Sequence, residues 1–534
     1  MTVYYTINGA RKSTAASNDD LELFTRDENG RYTLTLRAKR ELRLMGFAQA
    51  FPFRPNKDDL YFLNGYQSWT DTKEFTPKEK ERNVKKLPRF LVNAFAFDRY
   101  GDASFYTYKK HLLHGYDVFY CKGKREKLIL NLNYPRAYLL IELDKKNKTL
   151  NLSSDFNGVL IAAGTEFPVA DYYSADSVAE GMAYFNGVFP RKNTPKIFGY
   201  TSWYNYYQNI NEEIILRDLA ALDKQFNLFQ IDDGYETKVG DWLSVDASKF
   251  PHGLAPIVEA VHAKGLKAGI WLAPFVAEGE SELFRTRKEL FKRDSNGAFV
   301  KCGSNWSGFY ALDLENPDAR EYIRTCLRHY ADMGFDFFKL DFLYGVNLVT
   351  DEGTSRSMSA ERAYAFLREC LGDKMILGCG ATVFNCIDKF DYLRIGPDVS
   401  LIFDDVWFMR MMHRERISTK VTLQNTVYRS FFNDRLFGND PDVFLLRDDN
   451  IKLSAKQRRA LLTLNALFGS VLMTSDNLAQ YDAGKRKLLS DALELFFRAQ
   501  VTGYERKGNT IEINYTVGEQ PHTVKYDTKR GILL

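Results

Sequence analysis

Cysteine is scarce in this 534-residue chain: the six residues Cys121, Cys302, Cys326, Cys370, Cys379 and Cys386 contain no C-x-x-C pair, which argues against a disulfide framework and against structural zinc. Histidine is equally sparse, with seven residues; His111 and His114 stand three apart, but there is no H-E-x-x-H and no mixed Cys/His cluster, so no metal site is expected. Long apolar runs are missing too. The best, Gly269 to Ala277, is about half of the roughly 18 residues a membrane span needs. The first residues, MTVYYTINGARKST, lack the charged start and apolar block of a secretory signal, and a cytoplasmic location is expected. An excess of one charge is absent as well: 73 Lys plus Arg against 69 Asp plus Glu leaves +4, which disfavours nucleic acid and membrane surfaces as partners. With 45% apolar and 27% charged residues and only 15 prolines, long disordered regions are disfavoured. Aromatics, by contrast, are abundant at 14%, which permits a sugar or base site without requiring one.

Three patterns follow one another along the chain. From Thr2 to about Asn157, runs such as TVYYTIN, YTLTLRAK, LILNLNY and AYLLIEL are rich in β-branched and aromatic residues and separated by polar turns, which predicts an antiparallel β domain. A helical segment near Ser177–Val188 leads to Pro190 and Pro195, where regular structure breaks. After Ile197 short apolar strands alternate with amphipathic helices: IFGYTSW, LFQID, AGIWLAPF, FFKLDF, MILGCG, YLRIG, RLF or VFLL, and VLMTS each precede a helical stretch, including one near Val383. Eight such units over roughly 300 residues fit a (β/α)8 barrel better than an open doubly wound sheet. NTIEINYTV and HTVKYD then predict a small antiparallel β appendage. The expected fold is thus multidomain α/β: an N-terminal β-sandwich with a helical linker (1–190), a central (β/α)8 TIM barrel (191–500) and a C-terminal β domain (501–534).

In such a barrel, reactive groups belong at the C-terminal strand ends. Carboxylates gather there: Asp232 and Asp233 after strand two, Asp341 at strand four, Asp398 after strand six, Asp476 after strand eight. Any one of them alone reads more readily as a helix cap. In FFKLDF the two-residue period puts Lys339 and Asp341 on one face, where the ammonium is expected to lower the carboxyl's pKa, as suits a nucleophile; a structural ion pair is the equal competitor. RIGPDVS offers a second pair, Arg394 with Asp398. Two carboxyls facing one pocket are what glycoside hydrolysis uses, whereas the bland alternative is a strand-end salt bridge. Adjacent acids in QIDDGY can accept hydrogen bonds from neighbouring hydroxyls, and Trp203 and Trp271 have faces on which a sugar ring can stack, although either tryptophan alone is more often core.

Taken together, GYTSWYNYY, FQIDDGYE, GIWLAPF, FFKLDF, LGCG and RIGPDVS, in this order, resemble glycoside hydrolase family 36, the α-galactosidases of the clan shared with families 27 and 31. The resemblance covers roughly residues 197–500 and is closest to the short bacterial type: the glycine-rich stretch that longer members carry after strand five is replaced here by LGCGATVFNCIDKF. It implies Asp341 as catalytic nucleophile and Asp398 as general acid/base, with Asp232 and Asp233 on the galactose hydroxyls at positions 4 and 6. Trp203, Trp271, Lys339, Cys379 and Arg394 match further residues of the sugar subsite, and NGYQSW (64–69) resembles the segment that brings an N-terminal-domain aromatic, Trp69, to the active site. The implied activity is retaining exo-hydrolysis of terminal α-galactose from small α-galactosides such as melibiose or raffinose, with no metal or organic cofactor. An α-N-acetylgalactosaminidase or a raffinose-synthase-like galactosyltransferase would use the same site. Strand-end acids plus a lysine also suit Mg²⁺-assisted proton abstraction, and a catalytically dead sugar-binding protein is the third rival. The sequence carries no signal of oligomeric state.

Overall fold

In the computed structural model, which describes residues 1–82, 84 and 87–534, two antiparallel sheets form the N-terminal part. One has six strands in the spatial order Ala10–Thr14, Thr2–Ile7, Leu42–Pro52, Thr149–Ile161, Leu140–Asp144 and Leu112–Tyr116. The other has seven: Leu21–Glu28, Arg31–Ala38, Glu166–Ala175, Lys127–Asn131, Val118–Lys122, Leu60–Leu63 and Lys73–Phe75. Side chains alternate across each strand, so in RYTLTLRA only Leu34, Leu36 and Ala38 are buried; they share one core with Leu44, Leu143 and Leu150 of the opposite sheet. The antiparallel pattern runs on to Ala175, beyond the Asn157 suggested by the sequence. Helix Val178–Val188, capped by Ser177, follows.

The central sheet is parallel throughout. Its strands are Ile197–Thr201, Leu228–Ile231, Lys267–Leu272, Phe337–Leu340, Met375–Gly378, Tyr392–Arg394, a seventh in two pieces, and Val471–Thr474. The seventh strand is not RLF, and VFLL holds only its second half. Gly438–Asp440 pairs with strand six, Val443–Phe444 pairs with strand eight, and strand eight pairs with strand one, so the sheet returns on itself as a barrel-like core. Pro441, which has no amide hydrogen to donate, sits at the break. Strands one, two and four are buried along their whole length because helices cover the outside, which explains their apolar runs. Asn211, Ser355, Ser418, Ser454 and Asp482 cap five of these helices, each accepting a backbone N–H of the first turn. The stretch near Val383 is an exception: it forms only a three-residue 3₁₀ turn, Phe384–Cys386.

Two additions matter for the site. Between strand three and helix Pro317–Asp332 lies a small sheet of Val276–Glu278, Lys301–Gly303 and Phe309–Ala311, whose last turn carries Asn305 and Trp306. The C-terminal antiparallel sheet has four strands, Ala499–Lys507, Thr510–Val517, Gln520–Asp527 and Ile532–Leu533, and packs against helix Ala455–Phe468. No described helix is long and apolar enough to cross a membrane.

Candidate active site

At the C-terminal ends of the parallel strands opens a pocket of about 420 Å³. Trp203, Asp232, Asp233, Trp271, Lys339, Asp341 and Asp398 line it, seven of the ten site residues that the family resemblance implies. Cys379, Arg394 and Trp69 are not on its surface but stand behind it, each touching a residue near the wall.

Asp341 ends strand four with both oxygens engaged: Oδ2 accepts the Trp271 indole N–H at 3.0 Å and Oδ1 accepts the Phe342 amide at 2.7 Å. Phe342 adopts φ 53°, a left-handed conformation unfavourable for an aromatic residue, so the chain bears local strain where this carboxylate is aimed. The expected Lys339–Asp341 pair is not what forms. Lys339 instead bonds Asp232 Oδ2 at 2.8 Å, because interior side chains of alternate strands share a layer whereas residues two apart on one strand stand a pleat apart. Nor is the Asp341 carboxyl held low. Burial pushes its pKa up, the more distant Lys339 charge opposes this, and Asp398 adds to the rise.

Asp398 faces the same pocket from the loop after strand six, with about a third of its side chain exposed, and accepts Arg394 Nη1 at 2.9 Å. Arg394 is shared three ways: Nε reaches Asp440 Oδ2 at 2.9 Å and Nη2 reaches Asp442 Oδ1 at 2.8 Å. Three carboxyls around one guanidinium leave an excess of negative charge. Burial, with Asp398 and Asp440 nearby, raises Asp442 to about 6 despite the arginine. Asp440 and Asp442 escaped the sequence reading; the signal was D-P-D at the end of strand seven, which the uncertain placement of that strand hid.

The acidic pair divides its contacts. Asp232 accepts from Lys339, Gln230 Nε2 (2.7 Å) and Thr201 Oγ1 (3.2 Å). Asp233 accepts Gln208 Nε2 at 3.0 Å and Trp306 Nε1 at 3.1 Å. Trp306 was not singled out from the sequence, since the stretch between strands three and four carried no periodicity. Trp271, 2% exposed and in ring contact with Trp242 and Trp306, contributes its N–H rather than an open face; Trp203 is only partly buried and lines the pocket. Asp476 does not join the pocket: fully buried, it holds Arg447 at 2.9 Å.

The model of the Melibiase family matches residues 186–375. An α-galactosidase from Escherichia coli is 27% identical over 184 residues, 32% of this chain and 25% of that protein. The A type blood α-D-galactosamine galactosaminidase of Flavonifractor plautii is 25% identical over 234 residues, 38% of this chain and 21% of that protein. The chain thus aligns with about a fifth to a quarter of the length of these curated relatives. Among solved structures, the α-galactosidase TtGalA from Thermus thermophilus, in complex with p-nitrophenyl α-D-galactopyranoside, superposes with a TM-score of 0.71 at 27% identity, covering 94% of this chain and 98% of that one. Residues 186–375 thus resemble the Melibiase family.

The N-terminal sheets also reach the pocket wall. The Trp69 indole N–H points at Cys379 Sγ (3.3 Å), and its ring meets Phe342 edge-on at 5.3 Å. Gly380 makes room: at φ 62° it is left-handed, and a Cβ there would stand 3.0 Å from the Trp69 ring. Buried Arg429 ties the 64–69 segment down, donating to Asn64 Oδ1 (3.0 Å) and to the carbonyls of Gln67 (3.1 Å), Ser68 (2.5 Å) and Ile395 (2.8 Å). Nearby, His114 sits between Glu81 Oε2 (2.5 Å) and Asp102 Oδ2 (2.6 Å), with Arg414 on the barrel side. Burial opposes its charge, but the two carboxylates outweigh that and raise it to about 9.

Proposed function

We propose that the protein is a retaining exo-α-galactosidase acting on small α-galactosides, and that its parallel core is a (β/α)8 barrel between an N-terminal β-sandwich and the C-terminal β domain. The observation that carries this is the pair Asp341 and Asp398 on one pocket beside the acidic pair Asp232 and Asp233. Asp341, fixed by two N–H donors, attacks the anomeric carbon; the bond to the glycosidic oxygen breaks, and Asp398 supplies the proton that oxygen takes up. Water then transfers a proton to Asp398 as its oxygen attacks the anomeric carbon, and the bond to Asp341 breaks, releasing galactose with its α configuration retained. Asp232 and Asp233, with both oxygens presented by neighbouring donors, accept hydrogen bonds from sugar hydroxyls. Trp203 offers a face for the ring, and Arg394 positions Asp398. That the solved relative TtGalA is described in complex with an α-galactoside, at over nine-tenths coverage of both chains, supports the choice of sugar.

The test is hydrolysis of p-nitrophenyl α-galactoside, beside the α-N-acetylgalactosaminide and α-glucoside, with EDTA present. Turnover of the galactoside is expected, with α-galactose as the first-formed anomer. Asp341→Ala is expected to lose it and, with azide added, to yield β-galactosyl azide. Full activity in that variant, or β-galactose as first product, would overturn the reading; turnover confined to the N-acetylgalactosaminide would reassign the sugar.

A further inference from the structure

Behind the pocket wall, on the turn after strand two, the carboxyl groups of Asp233 and Glu236 lie in hydrogen-bond contact, 2% and 5% exposed. Asp232, one residue earlier, is balanced by Lys339. This pair has no such counterion: among the described residues no cation stands at ion-pair distance from either carboxyl, and the other partners are the Gln208 amide, the Trp306 indole and, for Glu236 Oε2, the Gly234 N–H at 3.3 Å. Two uncompensated anions side by side in a buried site are not sustainable, so the pair retains a proton. Its location follows from the donors. Asp233 receives N–H groups from two side chains and is the anionic member; Glu236 has only backbone N–H groups beside it, the Gly234 contact being long at 3.3 Å, and is the acid. Burial first, and then the Asp233 charge, push Glu236 well above the usual carboxylate range.

We propose that Glu236 is a positioning residue for this reaction: as a neutral carboxylic acid it donates a hydrogen bond to Asp233 and so holds that carboxylate toward the sugar hydroxyls. This rests on reading Asp233 as a sugar ligand. Glu236 itself does not line the sugar pocket but a separate cleft of about 310 Å³, with Trp306 forming a wall of both. The proton therefore exchanges with solvent from the side away from the substrate. The charged and titratable groups facing it are Asp232, already paired; Lys249, whose ammonium sits on the carbonyls of Gln208 and Gly234; Lys238, bonded to Glu280; Glu278, which accepts the Val239 amide and the Ser307 hydroxyl; Asp246; and the phenols of Tyr235 and Tyr330. None of them supplies the pair with a counterion.

Glu236→Gln preserves a donor to Asp233 but cannot ionise; Glu236→Ala removes the donor. Loss of a hydrogen bond to a charged group predicts a KM for p-nitrophenyl α-galactoside raised about 10-fold or more in Glu236→Ala, with kcat within about threefold. In the wild type KM rises on the alkaline side as the proton leaves; in Glu236→Gln that rise is flattened. A difference infrared spectrum reads the same proton without turnover, as a carboxylic-acid carbonyl band present in the wild type at neutral pH and lost in Glu236→Gln. Normal turnover with an unchanged alkaline rise in Glu236→Gln would overturn the proposal, and so would an unchanged infrared band. A wild type that fails to hydrolyse the galactoside but shows the band would refute the proposed function and leave the proton where it is placed.

Discussion

Replacing Lys339 by Met keeps an apolar stem of similar length and deletes the ammonium that bonds Asp232 at 2.8 Å. Both side chains are nearly inaccessible, at 5% and 2%, so solvent does little to screen the pair. Removing one partner of a buried ion pair costs about 3–5 kcal/mol, because the other charge is left without compensation. Asp232 keeps the Gln230 amide and the Thr201 hydroxyl as donors, which places the expected loss near the lower end, about 3 kcal/mol. The pH dependence has a definite sign. In the wild type burial opposes the Lys339 charge but the Asp232 carboxylate outweighs it and raises the ammonium's pKa, so the pair's contribution, and with it the variant's deficit, is fully present below the unfolded lysine value of roughly 10.4 and is lost only as pH rises beyond it. Urea midpoints followed by tryptophan fluorescence for wild type, Lys339→Met, Asp232→Asn and the double variant measure it. The double variant is expected to lose less than the sum of the singles, by about 2 kcal/mol or more. A deficit below about 1 kcal/mol at pH 7 would refute the assignment of this pair.

His114, held between Glu81 and Asp102 and raised to about 9, contributes stability that is fully present below pH 6.5 and lost as pH climbs through about 9; the shift corresponds to about 3 kcal/mol. His114→Gln is expected to abolish that alkaline slope in denaturation midpoints, and a variant retaining it would place the titration elsewhere. Trp69→Ala opens a cavity at a site 8% exposed and is expected to cost about 3–5 kcal/mol and raise KM. Trp69→Phe loses only the N–H to a weak sulfur acceptor and should stay within about 1 kcal/mol of wild type; equal losses in the two variants would show that the hydrogen bond, not the packing, matters.

Much of the pocket was legible because local rules place it. A strand buried on both faces leaves an unbroken apolar run, and an acid that ends such a run can stand at the pocket's rim; Asp232, Asp233 and Asp341 stood out on that rule and took their roles from the family resemblance, while Asp476, offered by the same rule, is buried on Arg447. The partner of Lys339 was not legible. On one strand Asp341 is the obvious neighbour, whereas Asp232 comes from 107 residues earlier and becomes adjacent only through the geometry of alternate strands. Asp440 and Asp442 were hidden because their strand is broken at Pro441, and Trp306 because it sits in a turn of a three-residue-strand sheet with too little length to show a period. For Trp271 the sequence left stacking and a core place open, and only the fold shows Trp242 and Trp306 against its ring and Asp341 at its N–H.

The Arg429 clamp carries an implication for biosynthesis. The 64–69 segment is made early, yet the guanidinium that fixes its carbonyls is contributed more than 360 residues later, and the Ile395 carbonyl that shares it is only slightly nearer. Until the ribosome has released that distant stretch, the segment carrying Trp69 lacks its clamp and Phe342, on the pocket wall, lacks its backing. A complete pocket wall is therefore one of the last features the nascent polypeptide acquires, since the 64–69 segment waits for partners from late in the chain.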